Sequence, residues 1–188
     1  MTKILFTGTT SSGKTTLLRH FKANSRVGVT VIDEVARPIL ENHPELLKSP
    51  QLQSIIFAEQ TRLEKEAAAA GAGVILCDRG SVDVLAHAKL FGQELLPEWR
   101  TWSQQEYDQI YLLDQKDIRF QRTPLQQHLE EQDWGKFRMD LEAQLHLTLA
   151  ECGLAYTILS GSVEHRIAQV EEKIWQSLWE AERRHQKE

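Results

Sequence analysis

With 188 residues, 41% hydrophobic and 26% charged, the chain has the composition of one globular domain that buries roughly 70% of the surface its unfolded form exposes, which excludes disordered, collagenous and disulfide-scaffold classes. A formal net charge of −5 and a pI near 5.8 make a field that repels nucleic-acid phosphate, so no polynucleotide partner is expected. The two cysteines, Cys77 and Cys152, lie in apolar runs without metal-ligand spacing, as buried reduced thiols do, and the seven histidines form no metal-like cluster.

Only Ile4, Leu5 and Phe6 follow the opening Met-Thr-Lys before polar residues begin, far short of a signal-peptide core. No segment reaches the roughly 20 apolar residues that span a bilayer, so a cytoplasmic protein without a membrane partner is expected. Residues 3–7 read as a strand, and Gly8-Thr9-Thr10-Ser11-Ser12-Gly13-Lys14-Thr15 follows at once, matching G-x-x-x-x-G-K-[ST] at every required position. A helical pattern from Thr16 to Phe21 comes next, the setting a phosphate-binding loop requires. Gly8 and Gly13 let the backbone turn its N–H groups inward, and Ser11, Ser12 and Thr16 complete the cradle. Lys14 is expected to bridge the β- and γ-phosphates of ATP, and Thr15 to offer its hydroxyl to Mg²⁺.

The second apolar run, 27–32, ends in Asp33-Glu34, with Arg37 one turn further on. Ser49-Pro50 offers an N-cap and a first-turn proline for a long helix that Gly71 closes. The third run, 73–77, leads directly into Asp78-Arg79-Gly80-Ser81. An apolar run ending in aspartate is what a carboxylate holding Mg²⁺ looks like, which nominates Asp78. Glu34 or Asp33 is the candidate base for an acceptor hydroxyl, and Arg37 and Arg79 are candidates for binding an anionic group of the acceptor or the transferring phosphate.

Residues 109–113 form the fourth run, and the polar stretch 114–135, with Arg119, Arg122 and Pro124, is expected to act as a lid over the site. The apolar set Leu85, Leu90, Phe91, Leu95, Leu96, Trp99 and Trp102 serves core packing, an acceptor lid or a homodimer face. The fifth run, 155–159, precedes Ser160-Gly161-Ser162 and a helix whose stripe is Val163, Ile167, Val170, Ile174 and Leu178, with Trp175 and Trp179 extending it. Five strand-length runs alternating with helices predict one α/β domain of the P-loop NTPase class, a five-stranded parallel sheet with helices on both faces.

Taken together, GTTSSGKT, DEVARP and CDRG resemble the small P-loop ATPase family that includes the ribosylnicotinamide kinase domain of NadR-type proteins and the related insect trafficking GTPases, over nearly the whole chain. The pattern also resembles deoxyribonucleoside kinases. That resemblance implies Glu34 as base, Arg79 as a ligand of phosphate and acceptor, Arg119 and Arg122 as lid arginines over the triphosphate, and Gly161 at the border of the nucleotide base. No Trp, Tyr and Gln set aligns with the nucleoside pocket of those kinases. The expected activity is transfer of the γ-phosphate of Mg-ATP to a small-molecule hydroxyl, with a nucleoside-like acceptor favoured. The alternatives are a slow nucleotide-dependent switch with a protein partner and an oligomeric ATPase motor. The chain reads Leu113-Asp114-Gln115-Lys116-Asp117 after the fourth run, without the guanine-specific N-K-x-D pattern, so ATP is preferred to GTP.

Overall fold

Apolar side chains that alternate between the two faces of a strand need cover on both sides, and the sheet of this chain has it. The computed structural model describes residues 1–24, 28–116, 118, 120 and 133–185. Within them five parallel strands, β1 (Thr2–Thr7), β2 (Val29–Ile32), β3 (Val74–Asp78), β4 (Gln109–Leu113) and β5 (Thr157–Leu159), lie in the order β2-β3-β1-β4-β5. Each predicted run forms a strand.

Ile4 and Phe6 of β1, with Leu76, Tyr111 and Leu113, pack onto Leu17, Leu18 and Phe21 of α1 (Lys14–Ala23) and onto the last helix. Leu5, Ile75, Cys77, Ile110 and Leu112 face the other way, onto α4 (Ser81–Leu90) and α6 (Trp134–Glu151), which contributes Leu141, Leu145 and Leu149. Each fully buried side chain of this size stabilises the fold by about 1.5–3 kcal/mol. The rest of the helical cover is α2 (Ala36–Asn42), a 3₁₀ turn (Pro44–Lys48), α3 (Leu52–Ala69), α5 (Pro97–Glu106) and α7 (Val163–His185). The chain leaves β1 for β2 on one side and β3 for β4 on the other, so these neighbouring strands send their connections opposite ways, and the crevice at their carboxyl ends is where ligands of such sheets bind.

Several expectations shift. Helix α3 begins at Leu52 with Gln51 at its cap, because the Ser49 hydroxyl accepts the Gln51 N–H (3.2 Å) in a local turn and so is not the N-cap. Gly71 does close the helix, at φ 82°. On α7, Val170 and Ile174 are buried and Ile167 and Trp175 pack beside them, but Trp179 is 55% exposed and does not extend the stripe. The Leu178 side chain lies outside the described residues. Leu85 and Trp99 are core, whereas Phe91 and Leu95 remain exposed. Both cysteines are free and buried. Of the stretch 114–135, the described residues are 114–116, 118, 120 and 133–135, and Arg119 and Arg122 fall outside them. No helix among the described residues is long and apolar enough to cross a membrane.

Candidate active site

The loop between β1 and α1 turns through left-handed backbone at Ser11 (φ 56°) and Gly13 (φ 92°), and Gly8 (φ 141°) passes so close to β4 that an added Cβ would stand 2.9 Å from the Leu113 carbonyl oxygen. Only glycine fits there at low cost. Lys14 is folded inside this loop and donates to the carbonyls of Gly8 (2.8 Å) and Thr9 (2.7 Å) and to Ser12 Oγ (3.2 Å). Ser12 is buried, whereas Thr16 is exposed on the first turn of α1.

Burial, reinforced by the Arg79 charge, lowers the Lys14 pKa to about 8 from 10.5, against the pull of Asp78, Asp83 and Glu34. The unfolded chain keeps this proton up to about 10.5 and the folded chain only to about 8, so raising the pH through that window favours folding. Phosphate binding runs the other way, because it needs the ammonium. Triphosphate affinity is expected to stay level below pH 7.5 and to fall by up to about tenfold per pH unit above 8, the slope of one bound proton. A titration of ATP binding between pH 6.5 and 9.5 checks this, and a level profile to 9.5 would show that Lys14 keeps its charge.

Thr15 Oγ1 donates to Asp78 Oδ2 (2.9 Å) at the end of β3. The other oxygen, Asp78 Oδ1, is buried without a hydrogen-bond partner, and burial raises the carboxyl pKa despite Lys14 nearby. A hydroxyl beside an unsatisfied carboxylate oxygen is an all-oxygen donor set of the kind Mg²⁺ takes together with phosphate and water, so these residues fit that ion.

Beside this loop the charged residues form one chain. Arg79, in left-handed backbone at φ 74°, donates from Nε to Glu34 Oε1 (2.9 Å) and from Nη1 to Asp83 Oδ1 (2.8 Å) and the Gly8 carbonyl (3.2 Å). A non-glycine residue held there costs on the order of 1–3 kcal/mol, a strain that clusters at functional sites. Arg37 donates to the second oxygen, Glu34 Oε2 (2.7 Å). Burial pushes the Glu34 carboxyl up, but Arg79, Lys14 and Arg37 together outweigh it and hold the pKa at about 2. Asp83, 3% exposed, also accepts from Thr7 Oγ1 (2.9 Å) and from the Gly80 N–H (3.1 Å). Asp33, by contrast, is exposed and pairs with Lys22 (2.5 Å) on the outer side of the β2 edge.

Glu34, Arg37, Arg79 and Asp83 border a cavity of about 190 Å³ that also touches Thr10 of the loop. Its walls include His87 of α4 and Phe91 at the C-cap of that helix, Trp134 and Phe137 of α6, and Gln53 of α3. Phe91 and Phe137 stack at 6.1 Å, and Trp134 meets Phe137 edge-on at 5.6 Å. Among the described residues, the buried side-chain polar atoms without a hydrogen-bond partner are Asp78 Oδ1, Gln93 Oε1, Trp134 Nε1 and Arg138 Nη2. Gln93 and Trp134 line the cavity, and Arg138 donates through Nε to the Thr10 carbonyl (3.1 Å), so all four lie in or beside this one site. Buried polar groups are nearly always satisfied by protein, water or ligand, and these four cluster around one cavity.

Sequence reasoning missed Asp83, Arg138, Gln93 and the Trp134–Phe137 wall, although it named Phe91 among the residues for an acceptor lid. The i,i+4 spacing of Arg79 and Asp83 was a readable signal, but the other three are brought in by tertiary packing. Gly161 (φ 83°) sits in the turn after β5, where its carbonyl accepts from Arg166 Nε (2.9 Å).

Comparison with known proteins bears on the fold and the family. Among solved structures, the fold is similar to deoxyadenosine kinase from M. mycoides with the products dCMP and a flexible dCDP bound, at a TM-score of 0.60 and 14% identity over 93% of this chain and 99% of that one. It is similar also to NadR protein in complex with NR, at 0.63 and 22%, and in complex with NAD and AMP-PNP, at 0.64 and 20%, over 91% of this chain and 49% of that one in both cases. This chain thus spans about half of the NadR chain. No curated protein sequence matches. A family model described as an AAA domain matches residues 3–166, so the chain, built on a P-loop kinase-like fold, belongs to that AAA-domain family.

Proposed function

We propose that this protein transfers the γ-phosphate of ATP to a hydroxyl of a small molecule, with a nucleoside-like acceptor favoured. The observation that carries the reading is the cavity next to the phosphate loop, with an unsatisfied acceptor at Gln93 Oε1 and an unsatisfied donor at Trp134 Nε1. A nucleotide switch needs no such chamber. At about 190 Å³ it has room for roughly six waters, which suits a small molecule and excludes a polypeptide. Phe91, Phe137 and Trp134 offer faces for a planar ring. The dCMP bound to deoxyadenosine kinase and the NR bound to NadR protein are of this general kind.

In this reading the backbone of 8–15 and Lys14 hold the triphosphate, while Thr15 and Asp78 would hold Mg²⁺, which supplies charge neutralisation on the phosphates when bound. The acceptor oxygen forms a bond to the γ-phosphorus as the bond to the β,γ-bridging oxygen breaks, and the acceptor proton leaves. A carboxylate held at a pKa of about 2 is a weak base, but the transfer is largely dissociative and asks more for aim than for basicity. Glu34 therefore orients the hydroxyl and takes its proton late, and it is favoured over Asp33, which faces solvent. Arg79 and Arg138 are placed to meet charge on the equatorial oxygens. Arg119 and Arg122 are proposed for the same task from the lid.

Glu34→Gln is expected to keep ATP affinity within a few-fold and to lower acceptor-dependent ATP consumption by about 10²–10⁴-fold, the usual worth of a positioned base. ATP turnover against a panel of nucleosides, nicotinamide riboside, sugars and small alcohols is the direct test. Slow hydrolysis that no acceptor stimulates would replace the kinase reading with that of a switch.

A further inference from the structure

Arg166, in the first turn of α7, is 1% exposed and lies 154 residues along the chain from Ser12 of the phosphate loop. Its guanidinium reaches three separate segments at once. Nη1 donates to the Ser12 carbonyl of the phosphate loop (2.7 Å), Nη2 to the Asp114 carbonyl at the exit of β4 (2.8 Å), and Nε to the Gly161 carbonyl after β5 (2.9 Å). The Asp114 N–H in turn donates to the Leu159 carbonyl (2.9 Å), so the two strand exits are themselves joined. A cation in the first turn of a helix opposes the helix dipole, and burying it costs more again, so its contacts have to repay both.

The consequence lies in peptide geometry. There are no cis peptide bonds among the described residues, and in a trans peptide the carbonyl and the following N–H point in opposite directions. Arg166 holds the Ser12 carbonyl at 2.7 Å, so the Gly13 N–H of the same peptide is turned away from Arg166. Gly13 is also the cap of α1, at φ 92°, and without a Cβ it restrains this peptide plane less than another residue would.

We infer that Arg166 is a positioning residue for nucleotide binding: it fixes the Gly13 N–H toward the phosphates and locks the phosphate loop to the Asp114 and Gly161 turns that flank the base, so that the two halves of the nucleotide site are held as one body. This inference rests on the loop being a triphosphate site. A planar fork with donors at fixed spacing is what the task demands, and a lysine, as a point charge, cannot span three carbonyls in three directions.

The test compares wild type, Arg166→Lys and Arg166→Met for binding of ATP and of inorganic tripolyphosphate, with melting temperatures measured without ligand. Tripolyphosphate has no base, so it reads the phosphate loop alone. Arg166→Met is expected to lose about tenfold in tripolyphosphate affinity and more, towards a hundredfold, in ATP affinity, because misplacement by an ångström is enough for such losses. Arg166→Lys falls between, and decides the matter should the methionine variant not fold. A variant that melts earlier yet binds both ligands with wild-type affinity well below its melting temperature would reduce Arg166 to a structural role and overturn the inference. Equal losses for both ligands would overturn its base-side half. A wild-type chain that binds neither ATP nor tripolyphosphate would instead sink the phosphate-loop reading, and this inference with it.

Discussion

Lys14→Ala is expected to weaken ATP binding by about 10²–10³-fold, the cost of deleting one preorganised charged donor from a site of this type, while leaving the melting temperature within a few degrees of wild type. The two halves of this expectation have one cause. Lys14 is 5% exposed, and its pKa of about 8 means that the folded state bears a cost for keeping the ammonium charged at neutral pH. That cost is about 3 kcal/mol, and it disappears with the side chain. Against it stand three lost hydrogen bonds, to the Gly8 and Thr9 carbonyls and Ser12 Oγ, each contributing on the order of 1 kcal/mol. Terms of similar size and opposite sign leave little net change. A lysine kept at such a cost is kept for its ligand. Calorimetric titration with ATP and a thermal melt of the same sample check both halves. Wild-type affinity in the variant would overturn the phosphate assignment, and a melting temperature lower by ten degrees or more would show that the ammonium serves the fold.

The phosphate loop, the strands and the ends of β2 and β3 were legible because each is local. The loop needs glycines at fixed offsets and one lysine. The strands need only short apolar runs, whereas their order, β2-β3-β1-β4-β5, is seen only in the structure. Glu34 and Asp78 could be named because they sit where apolar runs stop. What was not legible depends on how helices pack. Phe137 of α6 stacks on Phe91, the C-cap of α4, and Trp134 meets Phe137 edge-on, only because both helices cover the same face of the sheet. Arg138 finds Thr10 across 128 residues and Arg166 finds Ser12 across 154. No period or motif reports a contact between residues so far apart. Asp33 and Glu34 are adjacent and alike in charge, yet a strand end sends neighbouring side chains opposite ways, so one lines the cavity and the other pairs with Lys22 in solvent.

The largest expected loss of stability lies below the site, at Glu64. This carboxylate is 0% exposed. Oε2 accepts from Lys3 Nζ (2.9 Å) and Trp102 Nε1 (3.1 Å), and Oε1 from Gln60 Nε2 (2.8 Å) and the Tyr107 hydroxyl (3.0 Å). Lys3 is 2% exposed and has a second carboxylate, Glu106, at 2.8 Å. Burial alone would lower the Lys3 pKa, but the bond to Glu106 and the charge of Glu64 raise it, so the ammonium stays charged inside the protein. Glu64→Ala leaves that charge with one partly exposed partner and strands the donors of Trp102, Gln60 and Tyr107. Breaking a buried pair in this way costs about 3–5 kcal/mol, against a total stability on the order of 5–15 kcal/mol. The melting temperature should fall by roughly 10–15 °C. The effect also reaches the candidate site, because the Tyr107 hydroxyl accepts the Ser81 N–H (3.1 Å) and underlies Gly80, where an added Cβ would stand 2.2 Å from it. Ser81 opens the helix that carries Asp83, the partner of Arg79. Glu64→Ala should therefore lower nucleotide or acceptor affinity as well as stability, even at temperatures where the variant is folded. The double variant Lys3→Met with Glu64→Leu, which removes the charges together, should recover a large part of the lost stability. A fall of only one or two degrees in Glu64→Ala would show that water replaces the carboxylate and that the network contributes little.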